Sequence, residues 1–266
     1  MRKARRISVW MIVVVMLVGL VGCAKEPTAE EVYAAAFEKM NALTSMDAEM
    51  DMDIAMKMAA PMDGEVETIH VEMAADFVME HINTEDMRMD MKMKMGLMGV
   101  DIEMQTYYAD GYYLMEMYGQ KLKYPMDLKE AMSQTAMVQE VALDAMSEMT
   151  MIEEGDNRVI TFTVDGTKLK EGYMDDYLST MEGMGLADAS ATDSLNYEAM
   201  SGTMTVNKEG YPTAATMNMT FTMKVEGTEI AYEAAVEIVY NNPGQDVSVE
   251  IPDTSEYMEV DPESLS

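Results

Sequence analysis

Methionine fills every odd position from Met87 to Met95, while Arg88, Asp90, Lys92 and Lys94 fill the even ones. Two kinds of chemistry are open to such a run. Thioether sulfur is a soft ligand suited to Cu(I). It is also a flexible, polarisable apolar group that adapts to irregular partners. Met50-x-Met52 and Met56-x-Met58 have the same local look. Methionines two apart on a strand, however, stand roughly 7 Å apart along the backbone. That spacing lines a surface as readily as it holds a metal. Use as an oxidant sink would turn the same face polar and undo it.

Other reactive groups are sparse. The chain of 266 residues has 36 methionines, two histidines and one cysteine, so it has no thiolate cluster and no internal disulfide. His70 falls among Glu72 and Asp76 on a polar face, and His81 sits in a loop; both read as solvated. Asp47, Glu49, Asp51 and Asp53 share one strand face. Paired carboxylates bind Ca²⁺ or do acid–base work in other settings, but a row of acids on a wet strand face is ordinarily just hydrated. No nucleophile elbow, phosphate-binding loop or zinc-ligand spacing occurs. The expectation is a protein that is not an enzyme, with no assigned metal site and no cofactor.

Residues 1–22 read as a signal segment. Arg2, Lys3, Arg5 and Arg6 are basic, Val9 to Gly22 is apolar and short for a membrane span, and Leu20-Val21-Gly22-Cys23 resembles a bacterial lipobox. Cys23 is therefore the expected lipidation site. This places the protein on the extracytoplasmic face of a cell membrane, held by acyl chains. Without the four basic residues of the signal segment, 14 basic residues face 49 acidic ones, a net charge of -35. Such a charge repels nucleic acid and anionic headgroups.

These side chains need strands to position them. Thr28 and Glu31 form a capping box for a helix reaching about Ala42, with Tyr33, Ala36, Phe37 and Met40 as its stripe. Alternation then predicts hairpins that keep one apolar face. A two-residue turn at Asp63-Gly64 sets Met58 opposite Ile69 and Ile54 opposite Met73. Turns at Asp110-Gly111 and Glu226-Gly227 set Met104 opposite Met117 and Phe221 opposite Tyr232. One at Lys208-Glu209 sets Met200 opposite Met217, and one at Gly155-Asp156 sets Met151 opposite Ile160 and Met149 opposite Phe162. Helices are expected at 127–134, at 138–146 and after Asp165, then a mobile loop at 183–194. A helix of this kind is expected to lie across the apolar face.

Three stretches carry a family resemblance: Gln105 to Tyr113, Gly119 to Asp127, and Val206 to Pro212 with Met217-Asn218-Met219. With the lipobox and the opening helix, the chain resembles the LolA/LppX-like lipoproteins, within an uncharacterised Gram-positive group. The resemblance implies an unclosed half barrel of about eleven strands with helices as a lid. In characterised relatives that cavity carries lipid or acyl chains.

The expected class is α+β: a large curved antiparallel sheet of about ten to eleven strands, with helices covering its concave apolar face. Residues 1–22 are the signal peptide, 23–29 a tether, 30–251 one domain and 252–266 an acidic tail. The expected function is binding or carrying a lipid or other apolar small molecule. The lining candidates are Met52, Met56, Phe77, Met89, Met91, Met93, Met104, Tyr108, Met217 and Phe221. The alternative is a packed interaction module with a surface protein partner, and Cu(I) binding is third.

Overall fold

The computed structural model describes residues 26–59, 66–97, 99–128, 143–166, 168, 196–225 and 228–261. The signal segment, Cys23, the 183–194 loop and most of the three later helices expected from the sequence lie outside the described residues. Where the 138–146 helix was expected, residues 143–145 form a turn and Met146 opens a strand.

Helix α1 (Ala29–Asn41) starts as its capping box dictates. The Glu31 amide donates to Thr28 Oγ1 at 3.2 Å, and the Thr28 amide donates to Glu31 Oε2 at 2.9 Å. Twelve strands follow: β1 (Ser45–Ala59), β2 (Val66–Glu80), β3 (Arg88–Leu97), β4 (Val100–Ala109), β5 (Tyr112–Met117), β6 (Gln120–Pro125), β7 (Met146–Glu154), β8 (Asn157–Val164), β9 (Asn196–Val206), β10 (Pro212–Val225), β11 (Thr228–Tyr240) and β12 (Met258–Glu259). They form one open, curved sheet in the order β12-β6-β5-β4-β3-β2-β1-β11-β10-β9-β8-β7. Two meanders, β1–β6 and β7–β11, are joined where β1 pairs with β11, from Ala48 opposite Tyr240 to Met58 opposite Ile230. Every pairing is antiparallel except that of β12 with β6.

Three expected registers hold. Met104 faces Met117, Phe221 faces Tyr232, and Met151 faces Ile160. Asp110 (φ 53°) and Gly111 (φ 77°) supply the paired positive φ values of a tight hairpin turn. Tyr118 (φ 51°) and Gly119 (φ 74°) repeat it between β5 and β6, a hairpin the alternation did not single out.

Other registers differ. β1 and β2 pair two residues out of the expected step: Met58 faces Glu67, Met56 faces Ile69 and Ile54 faces Val71. The expected Asp63-Gly64 turn falls in residues 60–65, which lie outside the described residues. Met200 faces Met219 instead of Met217. Here Asn207 Oδ1 accepts from the amides of Glu209 and Tyr211, both at 3.0 Å, so the side chain closes a longer loop than a two-residue turn. The expected Met149–Phe162 pair is lost to a bulge between Ser147 and Thr150, where Glu148 takes φ 50°. That bulge, with Glu153 and Glu154, blunts the β7 edge against further pairing.

The segment expected to be an acidic tail lies, as far as Asp261, against the sheet. From the end of β11, residues 241–257 cross the polar face to reach β6. Asn241 Nδ2 donates to Asp47 and Glu49 of β1. Lys121 on β6 binds Glu256 at 2.8 Å, and the Tyr257 hydroxyl donates to Glu116. Tyr257 is buried here, as is Leu114, which faces the same side. β12 then adds to the β6 edge, giving twelve strands instead of ten to eleven.

α1 lies on the apolar face against β7, β9 and β10. Its buried stripe of Ala29, Val32, Tyr33, Ala36 and Phe37 packs with Ile160, Phe162, Met200, Met204 and Val206. Phe162 lies over Gly202: a Cβ there would stand 2.6 Å from Phe162 Cζ and 2.7 Å from the Thr216 carbonyl oxygen. Lys39 clamps the C-terminal end of α1, donating to the Glu209 carbonyl and sitting 4.5 Å above the Tyr211 ring.

Two substitutions test this packing. Gly202→Ala forces its methyl into an aromatic ring and a backbone carbonyl, and should cost about 1–3 kcal/mol of unfolding free energy. An unchanged urea midpoint would contradict the placement. Met91→Asp puts a carboxylate at a position 5% exposed among apolar neighbours. It should cost about 3 kcal/mol or more, and thermal melts as high as the parent's would refute the inward assignment.

Candidate functional site

All ten lining candidates fall on the same face of the sheet. The registers arrange that face in rows that run across the strands. One row is Ala215, Ile238, Met50, Ala75, Met93, Met104 and Met117. The next is Met217, Val236, Met52, Met73, Met95 and Ile102. On the other side of the first row run Tyr240, Ala48, Phe77, Met91, Thr106, Met115 and Leu122. Met89 and Tyr108 stand in a fourth row, and Met56 faces Tyr232, whose other neighbour is Phe221.

Depth separates the ten. Met89, Met91, Tyr108 and Phe221 are buried. Met89 and Tyr108 belong to a packed cluster with Met79, Met87, Tyr113 and Met126, and the Tyr108 hydroxyl donates to the Met126 carbonyl at 3.4 Å. Phe221 stacks on Tyr232 with ring centroids 4.8 Å apart and planes 4° from parallel. These four hold the sheet together. Met52, Met56, Phe77, Met93, Met104 and Met217 are only half-buried. Met95, Met115 and Met117, which sequence reasoning did not put among the candidates, are half-buried beside them. The signal that finds them is the same alternation, carried to the ends of β3 and β5.

The half-buried stretch concentrates on β1 to β5, whereas the packed contacts of α1 are at β7, β9 and β10. Among the described residues α1 reaches this apolar surface only at its edge, where Met40 packs against the cluster of Ala48, Met50 and Ile238. The surface's aromatic neighbours stay uncharged near neutral pH. Burial raises the phenols of Tyr113 and Tyr232, and pushes that of Tyr240 up to about 12. Tyr108 is raised by burial and then by Asp127. Thr106 is fully buried in the third row and its Oγ1 has no hydrogen-bond partner among the described residues. The Tyr113 phenol is near enough to feel it, since Thr106 pulls against the upward effect of burial.

The opposite face is wet. A depression of about 550 Å³ there is lined by Asp51, Asp53, Glu72, Asp101 and Glu237, with Lys94 3.4 Å from Asp101. His70 is exposed, 3.8 Å from Asp53, and His81 lies in a turn with φ 55°. Among the described residues, no group of three or more histidine, cysteine, aspartate or glutamate side chains converges to hold a metal ion. No helix among them is long and apolar enough to cross a membrane.

Comparison with known proteins finds a broad likeness and one family. Similar solved structures include LprF from Mycobacterium bovis, at 9% identity and TM-score 0.40, covering 84% of this chain and 96% of that one. A DUF1329 family protein from Desulfovibrio piger matches at 12% identity and TM-score 0.23, covering 90% and 99%. A LolA superfamily protein from Nitrosomonas europaea matches at 8% identity and TM-score 0.18, covering 84% and 96%. No residue role is carried over from any of them. No curated protein matches the sequence significantly. A family model matches residues 28–256, from the Thr28 helix cap to the turn before β12, and by that match the chain belongs to the family of unknown function DUF6612.

Proposed function

We propose that this is a membrane-anchored lipoprotein that binds or carries a lipid or other apolar molecule on its methionine-rich face. The observation that carries the reading is the half-buried strip Met52, Met56, Phe77, Met93 and Met104, apolar and outside the cluster packed under α1, with Met217 at the edge of that cluster. A surface of this kind costs free energy while it faces water, at about 25 cal/mol per Å² of apolar area. An acyl chain laid along it would recover that energy. Methionine suits the task because its unbranched side chain adjusts to chains of different length and kink. The lipobox ending at Cys23 supports anchoring at the extracytoplasmic face, and the sequence resemblance to LolA/LppX-like lipoproteins supports the ligand class. The reading is of a binding protein, without catalysis.

The test is native mass spectrometry, with organic extraction, on the chain beginning at Ala24. That chain retains every described residue and lacks the proposed lipidation site. A co-purifying or added lipid at near one per chain is expected. A protein that remains apo and takes up no added lipid would contradict the reading and favour a packed module that contacts another surface protein.

A further inference from the structure

The strand register brings methionines together in a way that spacing along the chain does not. Met93 on β3 faces Met104 on β4, and Met104 faces Met117 on β5. Three thioethers thus stand side by side on three adjacent strands. All three residues are half-buried. Met91, Met95 and Met115 flank them on the same face.

We propose that Met93, Met104 and Met117 form a three-thioether site for a soft monovalent cation, Cu(I) being the biological candidate. The distances favour rows over runs. Directly opposed residues in antiparallel strands have Cα atoms about 4.5 or 5.5 Å apart, according to the type of pair. Metal–sulfur bonds of about 2.3 Å at trigonal angles require sulfurs about 4 Å apart. The outer two methionines start about 10 Å apart, two such spacings, and each, with three rotatable bonds, leans over the central one to close that distance. Methionines at i and i+2 on one strand begin roughly 7 Å apart and converge less well.

The donor set also fixes the class of ion. Three neutral thioethers bring no charge and no oxygen, so they do not match Ca²⁺ or Mg²⁺, which take oxygen ligands. Soft sulfur donors select Cu(I). The flanking Met91, Met95 and Met115 keep the surroundings apolar and polarisable. Binding is simple coordination: no bond within the protein breaks, and the copper enters and leaves as Cu(I).

The inference stands apart from the lipid reading, because leucine at the three positions leaves the strip apolar. The experiment titrates full-length protein anaerobically with Cu(I) against a colorimetric Cu(I) chelator. Ag(I), a soft monovalent probe without accessible redox chemistry, is run in parallel. The variant M93L/M104L/M117L is compared with M200L/M204L/M219L, which changes three methionines near α1. Methionine-to-leucine swaps conserve volume, so both variants should fold; far-UV circular dichroism checks this. If the first variant melts early, the single change M104L removes the central ligand and is read in its place. One Cu(I) per chain is expected in the parent and control, with affinity in M93L/M104L/M117L weaker by roughly tenfold or more. No binding by the parent, or equal weakening in both variants, would overturn the site.

Discussion

The structure depends on the parity of its strands. A strand sends alternate side chains to opposite faces, so an antiparallel pair stays amphipathic only while partners keep matching parity. Here that parity is carried through five strands on one side of the β1–β11 junction and four on the other. β1 is its keystone, with β2 on one flank and β11 on the other. If β1 slipped by one residue, Met50, Met52 and Ile54 would turn to water and Asp51 and Asp53 would turn inward. The whole apolar face, and any site on it, follows from preventing that slip.

Within that constraint the two ends of the sheet are built differently. At β7 to β10 the packing is specific: Phe162 fills the space over Gly202, Tyr33 lies 5.8 Å from Phe162, and α1 seals the cluster. At β1 to β5 the residues are mainly methionine, and many are half-buried. Flexible side chains specify a solid core poorly but suit a surface that must accept a variable occupant. The outer face is acidic, with ion pairs such as Lys94–Asp101 and Lys121–Glu256. Exposed pairs of this kind add little stability. Their main effects are solubility and repulsion of anions. The strap from Asn241 to Tyr257 ties β11 to β6 across that face.

The face was legible in the sequence because parity is a local property. Met87 to Met95 alternate whatever they pair with, and every lining candidate did land on the apolar side. The register errors are instructive for the same reason. Met58 faces Glu67 instead of Ile69, and Met200 faces Met219 instead of Met217; each correction is an even step. Loop length decides such steps, and loops such as Asn207 to Tyr211 are set by side-chain hydrogen bonds that alternation does not register. Depth was not legible. Met89 and Met93 look alike in sequence, yet one is sealed by Met79, Met126 and Tyr108 and the other is half-open. The pairing of β1 with β11 and the capture of Tyr257 and β12 are long-range events with no local signature.

The central claim is that the methionine strip on β1 to β5, and not the cluster under α1, meets an apolar ligand. The most direct measurement is NMR of the protein with ¹³C-labelled methionine methyl groups, titrated with an acyl chain carrying a spin label. The account predicts selective broadening of Met52, Met93 and Met104, with Met200 and Met204 spared. Absent broadening, or equal broadening of both groups, would contradict it.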